Sequence, residues 1–120
     1  MTRQRAAIER IFEEVPRPLS PAEVRDIARE EIPQLGMATV YRALNDMVKE
    51  ATLRAVELPG QPSRYEKADL KHHHHFHCRK CDRVFDLQGC MLKADLNLPD
   101  GFVVQSHDIT LNGICADCSR

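Results

Sequence analysis

Two C-x-x-C pairs, Cys78/Cys81 and Cys115/Cys118, stand 33 residues apart in this chain of 120 residues. Four thiolates at this spacing suit the closed tetrahedral shell of a structural zinc ion. The gap between the pairs is too long for a simple ribbon, so a folded element must lie inside the loop that the metal closes. Directly before the first pair runs a histidine tract: His72, His73, His74, His75 and His77. On a strand, neighbouring side chains point to opposite faces. His72 and His74 then share one face, and His73, His75 and His77 the other. One tract can therefore feed two metal sites, with Glu66, Asp86, Cys90 and His107 as available partners. The alternative is a solvated histidine-rich surface with only adventitious metal affinity. Cys90, the odd fifth cysteine, reads either as a ligand or as a buried apolar thiol. His107 reads either as a ligand or as a structural histidine.

Charge does not divide the chain. Residues 1–70 hold 11 Lys/Arg and 12 Asp/Glu, residues 71–120 hold 6 and 6, and the formal net charge is −1. Any nucleic-acid contact must come from a local patch. Cysteine and histidine do divide it: all five Cys and all six His follow residue 70. No signal-peptide pattern or membrane-spanning run is present, so the expected address is the cytoplasm, with no membrane partner. Reducing conditions there favour metal ligation of the cysteine pairs over disulfides, the alternative for a secreted chain. No hydrolase-type triad and no Gly-rich phosphate loop stands out, and the chain is not expected to be an enzyme.

These ligands need elements to position them. Ile8, Ile11, Phe12 and Val15 repeat at helical spacing over 3–15, with Thr2 as N-cap and Pro16 and Pro18 as the stop. Ser20-Pro21-Ala22-Glu23 is a capping box opening a second helix to about Glu31. A third helix runs from Met37 to about Glu50, with Met37, Val40, Leu44, Met47 and Ala51 on one stripe. Its other face shows Thr39, Arg42, Asn45 and Lys49. Residues 53–58 and 63–67 flank Pro59-Gly60-Gln61-Pro62 as a hairpin. Three helices and a hairpin predict a winged helix, a helix-turn-helix variant. Beyond a junction at 68–71, residues 72–77, 83–87 and 102–111 predict strands, and Cys90 to Leu96 a short helix.

Four segments occur in a telling order: Thr2-Arg3-Gln4-Arg5, Leu35-Gly36-Met37-Ala38-Thr39-Val40-Tyr41-Arg42-Ala43-Leu44, the histidine tract running into Cys78-x-x-Cys81, and Cys115-x-x-Cys118. Together they resemble the ferric uptake regulator family of bacterial metal-dependent transcription factors, over nearly the whole chain. The resemblance implies a homodimer that binds palindromic operator DNA when loaded with metal. It implies that the third helix recognises DNA through Tyr41 and Arg42, with Thr39 on the same exposed face, and that Arg5 approaches the backbone. Cys78, Cys81, Cys115 and Cys118 match structural zinc ligands. Glu66, His73 and His75 match the sensing site at a hinge, with Asp86 as a nearby carboxylate ligand. His72, His74 and His107 match a further site, where Cys90 falls in place of a carboxylate. Two departures stand out. Pro18 occupies the place of a family histidine ligand, and the chain begins at what is usually the second helix.

The expected architecture is α+β: a winged-helix DNA-binding domain over 1–68, a hinge at 69–71, and a small α/β dimerisation domain with a four-cysteine zinc site over 72–120. The expected function is a metal-responsive repressor. Its cofactors are one structural zinc and a second divalent metal, zinc ahead of iron or manganese, with peroxide sensing open if the metal is iron. The alternative is a zinc-buffering or metal-chaperone protein that does not bind DNA.

Overall fold

The computed structural model describes residues 2–71, 73–89 and 97–120. Its first helix, α1 (Arg3–Glu14), starts where the Thr2 side chain accepts the Arg5 backbone N–H, and it turns Ala7, Ile8, Ile11 and Phe12 inward. The second, α2 (Pro21–Ala28), opens with the full capping box, Ser20 and Glu23 each accepting the other's backbone N–H. It is shorter than predicted: residues 29–31 form a turn ahead of Pro33. The third, α3 (Met37–Lys49), buries Val40, Leu44 and Met47. Ala51 is exposed, not on the inward stripe expected for it. It takes φ 62° as the helix terminates, and Thr52 N–H bonds back to the Met47 carbonyl at 2.9 Å. That is a Schellman stop using alanine where glycine is usual.

A two-stranded antiparallel sheet follows, β1 (Leu53–Val56) with β2 (Arg64–Lys67), in a register that places Arg54 opposite Glu66. Leu19 adds a short antiparallel bridge to Tyr65 through two backbone hydrogen bonds of 2.8 and 2.9 Å. This is a winged helix. Its core joins Ile8, Ile11, Phe12, Leu19, Val24, Val40, Leu44, Met47, Leu53 and Tyr65. Large-to-small changes at such positions cost about 2–5 kcal/mol.

The second sheet has the order β4-β3-β5: β3 (His74–Cys78) is central, antiparallel to β4 (Val84–Leu87) and parallel to β5 (Thr110–Gly113). The histidine tract therefore supplies the central strand. The strand predicted over 102–111 is mostly absent, because only its last two residues enter β5. The parallel register pairs His75 with Thr110. Carried upstream, it would set residues 102–108 against 67–73, where the chain crosses the junction and forms almost no strand. The helix predicted from Cys90 to Leu96 lies outside the described residues. The three helices and two small sheets among the described residues make the fold α+β, as expected.

Candidate metal centres

The first cluster gathers Cys78, Cys81, Cys115 and Cys118, their sulfurs all within 4.8 Å of one another. Cys78 ends β3, Cys81 closes the tight turn after it, and Cys115 comes two residues after the end of β5 (Thr110–Gly113). Parallel pairing of β3 and β5 thus delivers both knuckles to one end of the sheet. Backbone N–H groups of Cys81 and Cys115 point at the Cys78 sulfur, at 3.4 and 3.3 Å. The Cys81 N–H, chiefly, lowers the Cys78 thiol to about 6, so it is poised as a thiolate. A tetrahedron with Zn–S near 2.3 Å has sulfurs about 3.8 Å apart. Cys81 and Cys115 sulfurs lie 3.9 Å apart, and all four sulfurs lie within 4.8 Å of one another, so the donor set fits a zinc ion.

The second cluster gathers Glu66, His73, His75 and Asp86, again with ligand atoms within 4.8 Å. Glu66 comes from β2 of the wing. His73 precedes β3, His75 lies within it, and Asp86 is its cross-strand partner on β4. His73 Nε2 lies 3.1 Å from both Glu66 oxygens and 3.0 Å from Asp86 Oδ1. His75 Nε2 lies 3.3 Å from Glu66 Oε1 and 3.4 Å from Asp86 Oδ1. His73 Nδ1 donates to the Lys71 carbonyl at 2.5 Å, which turns Nε2 to the cluster. Asp86 Oδ1 is buried and, despite those short distances, accepts no well-aligned hydrogen bond. Two imidazoles, two carboxylates and an unsatisfied buried oxygen form a donor set suited to zinc, iron or manganese.

The electrostatics agree. Burial alone would raise the Glu66 carboxyl, but hydrogen bonds with His75, Asp86, Arg54 and His73 hold it near 2. Burial, then the shared hydrogen bond with Glu66 and its charge, push Asp86 up to about 6. Burial works against a charged His73, yet the Lys71 carbonyl and the two carboxylates outweigh it and raise its pKa. Glu66, Asp86 and His73 compete for few protons around a point where a cation would relieve them.

Other expected residues are placed as follows. His74 is fully buried on the opposite face of β3 and stacks near His107, ring centroids 5.1 Å apart. Their companions in the further site, His72 and Cys90, lie outside the described residues. Pro18 is buried in the winged-helix half and offers no ligand atom, so Glu66 is that half's contribution to the hinge cluster. His77, on the same face as His75, reaches past the cluster: its Nε2 lies 2.7 Å from Asp82, and its Nδ1 3.4 Å from Asn112. On α3, Tyr41 and Arg42 are exposed and Thr39 is half-buried. Arg5 is turned inward along the helices, bonded to Glu50 at 2.6 and 2.7 Å and to Glu9 at 2.8 Å.

Sequence reading missed two arginines. Arg54 bonds Glu66 at 2.8 Å, and the hairpin register alone would have flagged it as Glu66's neighbour. Arg64, only 3% exposed, reaches from the wing to Asp82 in the first knuckle at 3.1 Å. No local pattern marks that contact. Among the described residues, no helix is long and apolar enough to cross a membrane.

Comparison with known proteins agrees with this geometry. A zinc uptake regulation protein of Mycobacterium tuberculosis is 32% identical over 120 aligned residues, covering 98% of this chain and 92% of the relative. A ferric uptake regulation protein of Campylobacter jejuni is 28% identical over 89 residues, covering 72% of this chain. The matched region spans 57% of the Campylobacter protein's own length. A solved zinc-bound manganese uptake regulator shares the fold, with TM-score 0.78 at 22% identity over 96% of this chain and 89% of that one. The model of the ferric uptake regulator family matches residues 1–112. With that match spanning both sheets and the whole histidine tract, the chain belongs to the ferric uptake regulator family.

Proposed function

We propose that this chain is a metal-responsive transcriptional repressor that binds double-stranded operator DNA as a homodimer in the cytoplasm. One observation carries the reading: Glu66 of the wing and His73, His75 and Asp86 of the second sheet converge on one point. Ligands drawn from both halves can couple metal occupancy to the angle between them. A bound divalent cation would supply two positive charges there, neutralising the two carboxylates. Glu66 would then tie the wing to β3 and β4, favouring one domain orientation over others. The hinge is assigned to the 69–71 junction between those ligands, with DNA binding before it and dimerisation after.

Zinc is the first choice for the sensed metal, ahead of iron and manganese. The two-nitrogen, two-oxygen donor set admits all three. Similarity to the zinc uptake relative over nearly the whole chain supports zinc. The four-cysteine cluster would hold a structural zinc. His74 and His107 are retained, with His72 and Cys90, as a further site.

For DNA, α3 presents Thr39, Tyr41 and Arg42 on its outer face, suited to a major groove. Arg5 would reach a phosphate only by leaving Glu50. For the dimer, Phe102, Val103, Val104, Leu111 and Ile114 are exposed along and beside β5, an edge strand. Exposed apolar side chains beside an open strand edge suit pairing with a second copy.

The test is DNA selection with the metal-loaded dimer, followed by affinity measurements with and without metal at the hinge. Loaded protein should bind the selected site more than tenfold tighter. Arg42→Ala should weaken binding by about tenfold, the scale of one charge-assisted contact, without loss of metal or dimer. Equal affinity of loaded and unloaded protein would refute a metal-responsive repressor.

A further inference from the structure

Among the described residues, Arg54 is the cationic side chain that the protein itself places in the hinge cluster. Its Nε and terminal nitrogen lie 2.9 and 2.8 Å from Glu66 Oε1. The same terminal nitrogen lies 3.2 and 3.3 Å from the two ring nitrogens of His73, beside the imidazole. Glu66 is 2% exposed and faces a second carboxylate, Asp86, with the imidazoles of His73 and His75 beside Arg54 to offset the two. We propose that Arg54 is a built-in competitor: its guanidinium fills the cation position of the hinge site in the metal-free protein and must leave when metal binds. This inference rests on the metal-binding reading of the hinge given above.

The physical case has three parts. First, the guanidinium touches two of the four ligands at once: it bonds Glu66 Oε1 and lies 3.2 and 3.3 Å from the ring nitrogens of His73, so it shares the space on which those ligands converge. Second, charge excludes both cations at once. A metal at bonding distance from these atoms would lie within a few ångströms of the guanidinium, and two cations so close in a mostly buried pocket repel strongly. Third, Arg54 has a way out. Its side chain is 39% exposed. It borders a cavity of about 220 Å³ that is also lined by Glu57 and Asp108, whose exposed carboxylates can receive it. Arg64, another arginine of the wing that reaches the second sheet, is 3% exposed and bonded to Asp82, Gln61 and the Pro62 carbonyl, so it has no such freedom.

An internal competitor sets a threshold. Metals that bind the four ligands weakly fail to displace the guanidinium, and those that bind tightly succeed. Because Arg54 sits on β1, displacement also changes the charge that the wing exposes, in step with metal occupancy.

The experiment uses the full-length protein with its four-cysteine zinc retained, titrated with Co²⁺ against a chelator and followed by visible absorption. Arg54→Gln removes the charge, Arg54→Lys keeps it, and Glu66→Gln controls for the site. Arg54→Gln should bind Co²⁺ roughly tenfold tighter or more, the scale of one charge-assisted hydrogen bond. Arg54→Lys should stay near wild type. Unchanged or weaker binding in Arg54→Gln overturns the proposal, since Arg54 would then merely orient Glu66. So does equally tight binding in Arg54→Lys. Wild-type protein supplies a second readout that needs no variant. The Arg54 Nε–H resonance should be protected in the metal-free state and move to an exposed-arginine position on Zn²⁺ loading, and a resonance that stays put overturns the proposal. If Glu66→Gln keeps full Co²⁺ affinity, the hinge reading itself fails. If it loses affinity while Arg54→Gln gains none, only the competitor fails.

Discussion

The two halves of this molecule bury different things. The winged-helix half packs Ile8, Phe12, Leu19, Val24, Val40 and Leu44 into an apolar core. Among the described residues beyond 70, the buried set is His73, His74, His75, His77, Cys78, Val84 and Cys115. That second half hides ligands and leaves Phe102, Val103, Val104 and Ile114 outside. Apolar burial stabilises the first half directly. Buried imidazoles and thiols stabilise only when something satisfies them. In our proposal the second half thus depends on metal and on a second chain for what the first obtains from its own side chains. In that proposal the difference is useful: the half assigned to DNA carries its own apolar core, and the half assigned to sensing is conditional on its ligands.

The sharpest break in this comparison is Cys115→Ser. Loss of one thiolate should release one zinc per chain, a contribution of roughly 10–16 kcal/mol in small zinc-dependent folds. Hydrogen exchange should then show 74–78, 84–87 and 110–113 unprotected while α1–α3 keep most of their protection. Uniform loss across both halves, or none, would show that the halves do not differ in this way.

A smaller and more selective effect is expected at the hinge. His73→Ala should weaken metal binding there by tenfold or more, the scale typical of a lost ligand or ligand support. It should abolish metal-dependent DNA binding and leave the four-cysteine zinc in place. His74→Ala, on the opposite face of β3, should lower the melting temperature by a few degrees, consistent with about 1 kcal/mol in a domain of this size. Its effect on DNA binding should be smaller. Metal titrations of both variants, followed by operator binding and unfolding, separate the two faces. If both lose the DNA response equally, the tract serves a single site.

The mildest expected effect is pH dependence, and it should also differ between the two metal centres. Asp86 is raised to about 6, so its contribution to metal-free stability is present at acid pH and lost as pH rises through about 6. His73 is raised too, and its contribution is likewise lost as pH rises through its elevated value. Glu66, held near 2, contributes the opposite way, but it stays ionised throughout this window. At and below about pH 6 the metal-free site therefore holds extra protons that a metal must expel. Hinge affinity should fall as pH drops through about 6, read by chelator competition. The four-cysteine zinc should persist there, because four thiolates in a closed shell bind the ion tightly enough to hold protons off the sulfurs. Parallel loss of both metals on acidification would contradict the distinction.

Much of this protein was legible in its sequence because the relevant signals are local. Ser20 to Glu23 specified a capping box that the structure contains atom for atom. Cysteine spacing specified two knuckles, since a tight turn at each pair fixes its bite whatever lies between. Strand alternation sorted His73 and His75 from His74 because period two is a property of the extended backbone. Misjudgements came where pairing decides the outcome. FVVQSHDITL alternates like a strand, but only the stretch opposite β3 becomes one. Ala51 continues a helical stripe in the sequence, yet it faces solvent because the helix stops just before it.

The sequence by itself determined the ligand types, their local spacing and the elements that carry them. It also determined the family, because those segments recur in order. Only the tertiary structure decided which ligands meet. Glu66 reaches His73 and His75 because the fold brings β2 of the wing alongside the histidine tract, a long-range choice that no local periodicity encodes. The same approach brought Arg64 onto Asp82, the hairpin register set Arg54 beside Glu66, and the helical packing left Arg5 bonded to Glu50. Charged side chains pair with whatever the fold sets within reach, so their partners are a property of the assembled chain.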